Sequence, residues 1–570
     1  MKMSSARLQK VLILFASLSF EIAASTAAGG SPSQSISAAK LKEHVYFLAS
    51  EDLEGRYPGS RGFRIAVEYA ANRFRAAGLL PASKLLTAGE FPPVEGLIAD
   101  IADAEYPTGT GSPPAAGPSY EQGYLHPVPL CYRAIKEAAV VTLQTPAGER
   151  VFSGGRDLKI YLSENLCEEG DPLPVVFAGF GIHEPAAGWD GLEGLDVAGK
   201  VVVFLMGAPT MIGRPVLPEP LHGLYAPMNS FIRKALAMRG AAAVLVPAGA
   251  DLLLAFEEFP AFPERPQFVL PDSGEGTFRC APICFISPEL CGAILGNKGL
   301  PSPEDVAEGR VLPGEIEGVS LGISVPFIDE EVLAWNVMGL VEGADPVLKN
   351  EIVAVSAHLG HLHPNPDGRI HPGANGNASG AAALLEIAEA IARHPVKRSI
   401  LLILTGAEEG GMMGMRSFLS NCSASQVKIV ADVNIDMLER TEPGHRGYRA
   451  RYICDSGKSK TDEGRKAEGV RYVVNPTRTT PAFTGLIKEV NSRTVDWPLI
   501  FDRPSNLGDS DHRAFETLGI PAANFYAGRI PDTHETTDTP DKLDYEKIEK
   551  IARLVCEIAL ELGDREQLWR

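Results

Sequence analysis

Apolar residues recur at helical spacing across residues 36–80, where Leu41, Val45 and Leu48, and later Val67, Ala70 and Phe74, share faces. Residues 81 to about 130 are dominated by Pro, Gly and Ala and read as loop. From about 131 to 325 short apolar runs are broken by turn residues; 174–180, 201–205 and 241–246 read as strands. Beyond 326 strand and helix patterns alternate. Residues 351–357, mostly apolar, read as a buried strand. Residues 379–394 carry Leu384, Leu385, Ala388 and Ile391 on one helical face. Residues 399–405 and 429–435 give two more strands, 520–526 a fourth apolar run, and 545–562 the last helix. Strands without in–out alternation, separated by helices, predict an α/β fold: a mixed, mostly parallel sheet with helices on both faces. Residues 440–475 are polar and read as an excursion from that sheet.

The chain of 570 residues is long enough for several folded units, and its 45 % apolar content excludes wholesale disorder. Net charge is −19, with 53 Lys and Arg against 72 Asp and Glu, which argues against nucleic acid and against anionic membrane surfaces as partners. Lys2, Arg7 and Lys10 precede an apolar run at 11–20 and small residues at 23–28, the pattern of a signal peptide over 1–28. That run falls short of the ~20 residues that span a bilayer. The expectation is a secreted or periplasmic chain without membrane insertion, divided into the leader, an N-terminal part at 36–130, a β-rich insert at 131–325 and an α/β domain at 326–570. Oligomeric state is not legible. Of eight cysteines, Cys280, Cys284 and Cys291 cluster, and closure of a short loop by Cys280 and Cys291 is open; a zinc ribbon lacks its second ligand pair.

Candidate chemistry sits at the predicted strand ends. His358 ends the first strand of the α/β domain, Glu408 and Glu409 follow the second, Asp436 ends the third, and His534 follows the fourth apolar run. Ligands of open α/β sheets gather beyond the carboxyl ends of the strands, and imidazole with carboxylate is a zinc-type donor set. Taken singly, a His or Asp at a strand end is a turn residue and an acidic pair is solvated surface. Their repetition at successive strand ends shifts the reading, as does the helix-opening run 373–380, GANGNASG.

Together with Ala357-His358-Leu359-Gly360-His361, Gly406-Ala407-Glu408-Glu409-Gly410, Asn434-Ile435-Asp436-Met437, Ser510-Asp511-His512 and Thr533-His534, this run resembles the co-catalytic zinc exopeptidase family of bacterial leucyl aminopeptidases, glutamate carboxypeptidase II and the transferrin receptor. Leu53-Glu54-Gly55-Arg56 resembles that family's N-terminal loop. Val176 to Ile182 with Asp196 to Lys200 resembles its protease-associated insert, and Asn336-Val337 its return to the catalytic sheet. The resemblance implies two zinc ions, one on His358 and Asp436 and one on Glu409 and His534. It implies Glu408 as general base for a zinc-bound water, and a peptide or protein with a free terminus as substrate.

Two positions depart from the pattern. The Asp that bridges the metals is Gly376 here, and the Asp that orients the first His is Gly360. Glycine offers no side-chain donor, so one ion fits the remaining ligands better than two, and loss of the orienting partner costs ~10–100-fold in metal affinity or activity. Asn375 could offer an amide oxygen, and His363, Asp367 and His371 lie in the same loop as candidate substitutes, whereas His361 has a counterpart in the family and is no specific replacement. The expected function is aminopeptidase-like hydrolysis at a site reduced to one zinc. The alternative is an inactive pseudopeptidase that binds or scaffolds, and a glutaminyl-cyclase-like transferase is a more distant third.

Overall fold

A computed structural model describes residues 31–82, 123–162, 170–185, 189–211, 214–218, 240–247, 267–269, 282–296, 301–365, 367–422, 428–438, 472–476, 481–497, 499–501, 510–527 and 532–569, with a few single residues between. The leader at 1–28, Cys280, and all of 440–475 except the strand residues from Tyr472 lie outside them.

The larger of two main sheets has ten strands. Its centre is Glu351–His358, parallel to Ser399–Thr405 on one side and to Lys428–Ile435 on the other; Lys428–Ile435 is in turn parallel to Ala522–Tyr526. Antiparallel partners extend both flanks. Phe327–Val341 joins Ser399–Thr405 and Leu125–Ile135 joins Phe327–Val341, while Tyr472–Pro476 runs against Ala522–Tyr526. The fold is therefore α/β with a mixed sheet. Alternate side chains of the central strands enter two different cores. Val353, Val355, Leu402 and Leu404 meet helices Ala38–Leu48, Arg61–Ala77, Ser379–Ile391 and Tyr545–Asp564. Ile352, Ala354, Leu401 and Ile403 meet Met413–Cys422 and His512–Thr517. Burial on both faces is why these strands read as mostly apolar runs.

Residues 36–80 resolve into two helices, Ala38–Leu48 and Arg61–Ala77, separated by a tight turn at Glu51–Arg56. Ser60 caps the second helix by accepting from the Phe63 amide at 2.9 Å, and Gly78 ends it with φ +91°. The loop expected to reach residue 130 ends earlier, because Leu125–Ile135 is a strand. Pro127 and Pro129 disguise it. Gln267–Val269, its outer partner, pairs only with residues 131–133, so the prolines lie where no described strand needs their missing N–H.

The second main sheet has eight strands, all between Val140 and Ser324. Residues 131–135, grouped with the insert by sequence, belong instead to the larger sheet. So does Gln267–Val269, although it lies in sequence between two strands of the smaller sheet, Ala243–Pro247 and Ile283–Ile286. Cys284 and Cys291 are buried free thiols. No helix among the described residues is long and apolar enough to cross a membrane.

Arg56 knits the N-terminal turn to the loops beyond the central strands. It is fully buried. Its guanidinium donates to the carbonyls of Leu48, Leu359 (3.1 Å), Pro372 (2.8 Å) and Gly373 (3.0 Å), and its own carbonyl accepts from the His361 amide at 3.1 Å. Burial lowers its pKa to about 10 against the opposing pull of Asp538 and Glu409, so it stays charged at neutral pH. Arg56→Met leaves four carbonyls without their donor. It is expected to cost ~3–5 kcal/mol, measured as the shift in the chemical-denaturation midpoint, with Arg56→Lys recovering less than half because an ammonium lacks the planar fork.

Candidate active site

The parallel strands all deliver their carboxyl ends to one edge of the sheet, and the strand-end residues converge there. His358 is the last residue of its strand, in register with Thr405 next door. The chain then turns through Gly406 and Ala407, whose φ of +56° lies in the left-handed region, and presents Glu408 and Glu409. Asp436 follows the Lys428–Ile435 strand directly.

Among the described residues, His358, Glu408 and Glu409 offer ligand atoms that all lie within 4.8 Å of one another. His358 Nε2 stands 3.2 Å from Asp436 Oδ1 and 3.9 Å from Glu408 Oε2. Glu409 is gripped from two sides: its Oε1 lies 2.8 Å from His361 Nδ1 and its Oε2 lies 3.1 Å from His534 Nε2. The five sequence-derived candidates thus meet in two linked groups. His358, Glu408 and Asp436 form one, and Glu409 with His534 the other.

Electrostatics separates the adjacent glutamates. Burial pushes the Glu408 carboxyl well up; His358 opposes this, and Glu409, Asp436 and Asp511 add to it. Glu409 is also buried, yet His534 and His361 hold it well below the usual range. Two neighbouring carboxyls pushed in opposite directions divide naturally into a proton carrier and a fixed anion. Burial opposes the charged form of His358, but Asp436 and Glu408 overcome it and raise its pKa well above the ordinary value. His361 goes the other way, lowered to about 4 by burial, so it is neutral and donates its Nδ1–H to Glu409.

The orienting partner expected to be lost at Gly360 is supplied by the main chain. His358 Nδ1 donates to the Gly360 carbonyl at 2.9 Å, which turns Nε2 toward Asp436. A backbone carbonyl is an ordinary partner for a metal-binding imidazole. Space around Gly360 is tight, since an added Cβ would stand 3.3 Å from the Ala407 nitrogen and from the Phe63 ring.

Nothing makes the same substitution at Gly376. Its φ of −109° is open to any residue, and an added Cβ would meet Met437 at ordinary distances of 3.6 and 3.7 Å. The turn is held from below by Asp538, which accepts from the Asn375 amide at 3.0 Å and the Gly376 amide at 3.1 Å. Asn377 ties the same turn to the Asp436 strand end, donating to the Ile435 carbonyl at 2.9 Å and accepting from the Met437 amide at 3.2 Å.

Imidazole nitrogen and carboxylate oxygen fit a zinc ion, and the His358, Asp436 and Glu408/Glu409 set suits one. A second ion would find Glu409 and His534 with no bridging carboxylate between the two positions.

Sequence reasoning set His361 aside as no specific replacement for a lost ligand and gave Asp538, Arg56 and Asp511 no role. Asp511 accepts from the Thr405 hydroxyl beneath the site, and burial raises its pKa to about 6. Only the Ser510-Asp511-His512 resemblance pointed to it. Asp538 lies four residues beyond His534, but its partners are more than 160 residues away in sequence, a pairing no spacing reveals.

Residues 336–559 match the model of peptidase family M28. Similar proteins include a probable lipoprotein aminopeptidase, LpqL, of Mycobacterium tuberculosis, 28 % identical over 218 residues, covering 34 % of this chain and 39 % of that protein. A probable leucine aminopeptidase 2 of Aspergillus oryzae is 26 % identical over 221 residues, 38 % of each chain. Aminopeptidase YwaD of Bacillus subtilis is 27 % identical over 227 residues, 38 % of this chain and 42 % of that one. The matches span about two-fifths of the length of these relatives. Among solved structures, an aminopeptidase from Aneurinibacillus sp. strain AM-1 aligns over 94 % of this chain and 96 % of its own at 17 % identity and a TM-score of 0.48.

Because His358 is held protonated between carboxylates, metal must displace a proton. Calorimetric titration of zinc into metal-free protein at pH 7, in buffers of different ionisation enthalpy, is expected to show net release of protons on binding. The sign for stability follows. The raised His358 pKa stabilises metal-free protein fully below the unfolded value of ~6.5, and that stabilisation is lost as pH rises through the folded value. Metal-free protein is expected to lose stability over that rise, and His358→Gln to flatten the dependence.

Proposed function

We propose that this chain, whose residues 336–559 match the model of peptidase family M28, is an exported aminopeptidase-like hydrolase of peptides with a free terminus, working with a single zinc ion. The observation that carries the reading is the convergence of His358, Glu408 and Glu409 within 4.8 Å, with Asp436 at 3.2 Å from His358. His358, Asp436 and Glu409 would hold the ion, with His534 closing the Glu409 side. When bound, zinc supplies Lewis-acid polarisation at the reacting carbonyl.

The chain's own residues do the rest. Glu408 is buried and its carboxyl is raised, so it takes a proton from the attacking water and returns it to the leaving amine. Gly360 fixes the imidazole tautomer of His358, and His361 fixes the rotamer of Glu409. Arg56 and Asp538 hold the loops that carry them. The signal-like segment at 1–28 supports export, and the β-rich sheet between Val140 and Ser324 is read as a protease-associated insert.

One observation favours a second reading. Gly376 leaves no bridging carboxylate although the space would admit one, which suits a pseudopeptidase that binds peptides without cleaving them. Turnover of aminoacyl-p-nitroanilides and unblocked dipeptides by zinc-loaded protein separates the two. Glu408→Gln is expected to lower kcat by ~100- to 10,000-fold with the fold unchanged. Absence of turnover in the unsubstituted protein at every pH overturns the hydrolase reading. Gly376→Asp is expected to raise bound zinc from one toward two per chain by elemental analysis, and an unchanged count contradicts the assignment of that turn to the missing bridge.

A further inference from the structure

An aromatic wall adjoins the candidate site and has no part in the chemistry above. Tyr57 and His363 stack with ring centroids 4.4 Å apart, Tyr132 lies 6.2 Å from His363, and Phe268 lies 5.6 Å from Tyr132. Tyr57, Tyr132 and Phe268 are half-buried and His363 is exposed, so the rings keep an open side.

The wall is continuous with the site at two points. The Phe268 Cβ and carbonyl lie 3.4 and 3.5 Å from where a Cβ on Gly410 would stand, one residue beyond Glu409. His363 lies two residues beyond His361, whose ring holds Glu409, and Tyr57 follows Arg56, whose carbonyl holds the His361 amide. Phe268 arrives by an unusual route. Its segment leaves the smaller sheet, pairs with Leu125–Ile135 directly opposite Tyr132, and the chain then returns to the smaller sheet. The excursion places one aromatic residue of the inserted unit beside the strand-end carboxylates.

We propose that Phe268, Tyr132, Tyr57 and His363 form a specificity shelf that receives an aromatic or large aliphatic side chain of the peptide, next to the bond presented to Glu408. The proposal rests on the peptide-binding reading given above. Half-exposed rings gain by covering their open faces with apolar surface, and tilted ring pairs add to this. Glu330, directly across the strand pair from Tyr132, disfavours an acidic side chain on the shelf.

Binding tests the shelf independently of turnover. Three non-cleavable dipeptides with a reduced amide, Phe–Ala, Ala–Phe and Ala–Ala, are titrated calorimetrically into zinc-loaded full-length protein. At least one phenylalanine probe is expected to bind roughly tenfold more tightly than Ala–Ala. Phe268→Ala is expected to cut that preference below about twofold and leave Ala–Ala affinity unchanged, while Tyr132→Phe, which keeps the ring, preserves it. Equal affinity for all three probes, no binding of any probe, or uniform weakening by Phe268→Ala overturns the shelf. Ring-selective binding without turnover of the cleavable Phe–Ala and Ala–Phe peptides overturns the hydrolase reading and leaves the shelf standing. Turnover without ring selectivity overturns the shelf alone.

Discussion

Everything at the strand ends hangs on one buried cation. The Arg56 guanidinium reaches four carbonyls from three stretches of chain: the end of the first helix, the residue after His358, and the loop entering the Gly376 turn. Burying a guanidinium is costly, and here the cost is offset by full hydrogen bonding and by the nearby Asp538 and Glu409 carboxylates. The same charge that organises the loops therefore favours the anionic form of the residues those loops carry. Without it, the carbonyls of Leu48, Leu359, Pro372 and Gly373 would have to find other partners, and the loops that carry His358 and the Gly376 turn would lose their common anchor.

Within that frame the two glycines behave differently. Gly360 lies in a confined space, and its carbonyl takes the hydrogen bond of His358 Nδ1 and so orients the imidazole, without the charge a carboxylate would add. Gly376 lies in open space beside Met437 and replaces nothing. One loss is compensated by backbone geometry and the other leaves the donor set short. Glu409, for its part, is held between two imidazoles, His361 and His534.

The sequence was most readable where both faces of a strand are buried. Residues 400–404 are an unbroken apolar run and Glu351–His358 is mostly apolar, because helices cover both strands on both sides. The strand Leu125–Ile135 was hidden by Pro127 and Pro129, whose tolerance depends on a neighbour that stops short of them. The strand-end ligands were legible from their positions after apolar runs. Their supports were not: Asp538 caps a turn some 160 residues away, Arg56 acts through carbonyls of any residue type, and Phe268 joins the site only because its segment changes sheets. Spacing along a chain reports local periodicity, and these contacts are set by tertiary topology.

On the proposed reading the converged residues hold one metal ion, and Gly376 removes the carboxylate that a second would share. Anomalous diffraction at the zinc absorption edge, from crystals of the unsubstituted protein grown with excess zinc, tests it directly. One strong peak is expected within bonding distance, ~2.0–2.2 Å, of His358 Nε2 and a carboxylate oxygen of Asp436. Two peaks of equal strength ~3.5–4 Å apart, or none near His358, would contradict it.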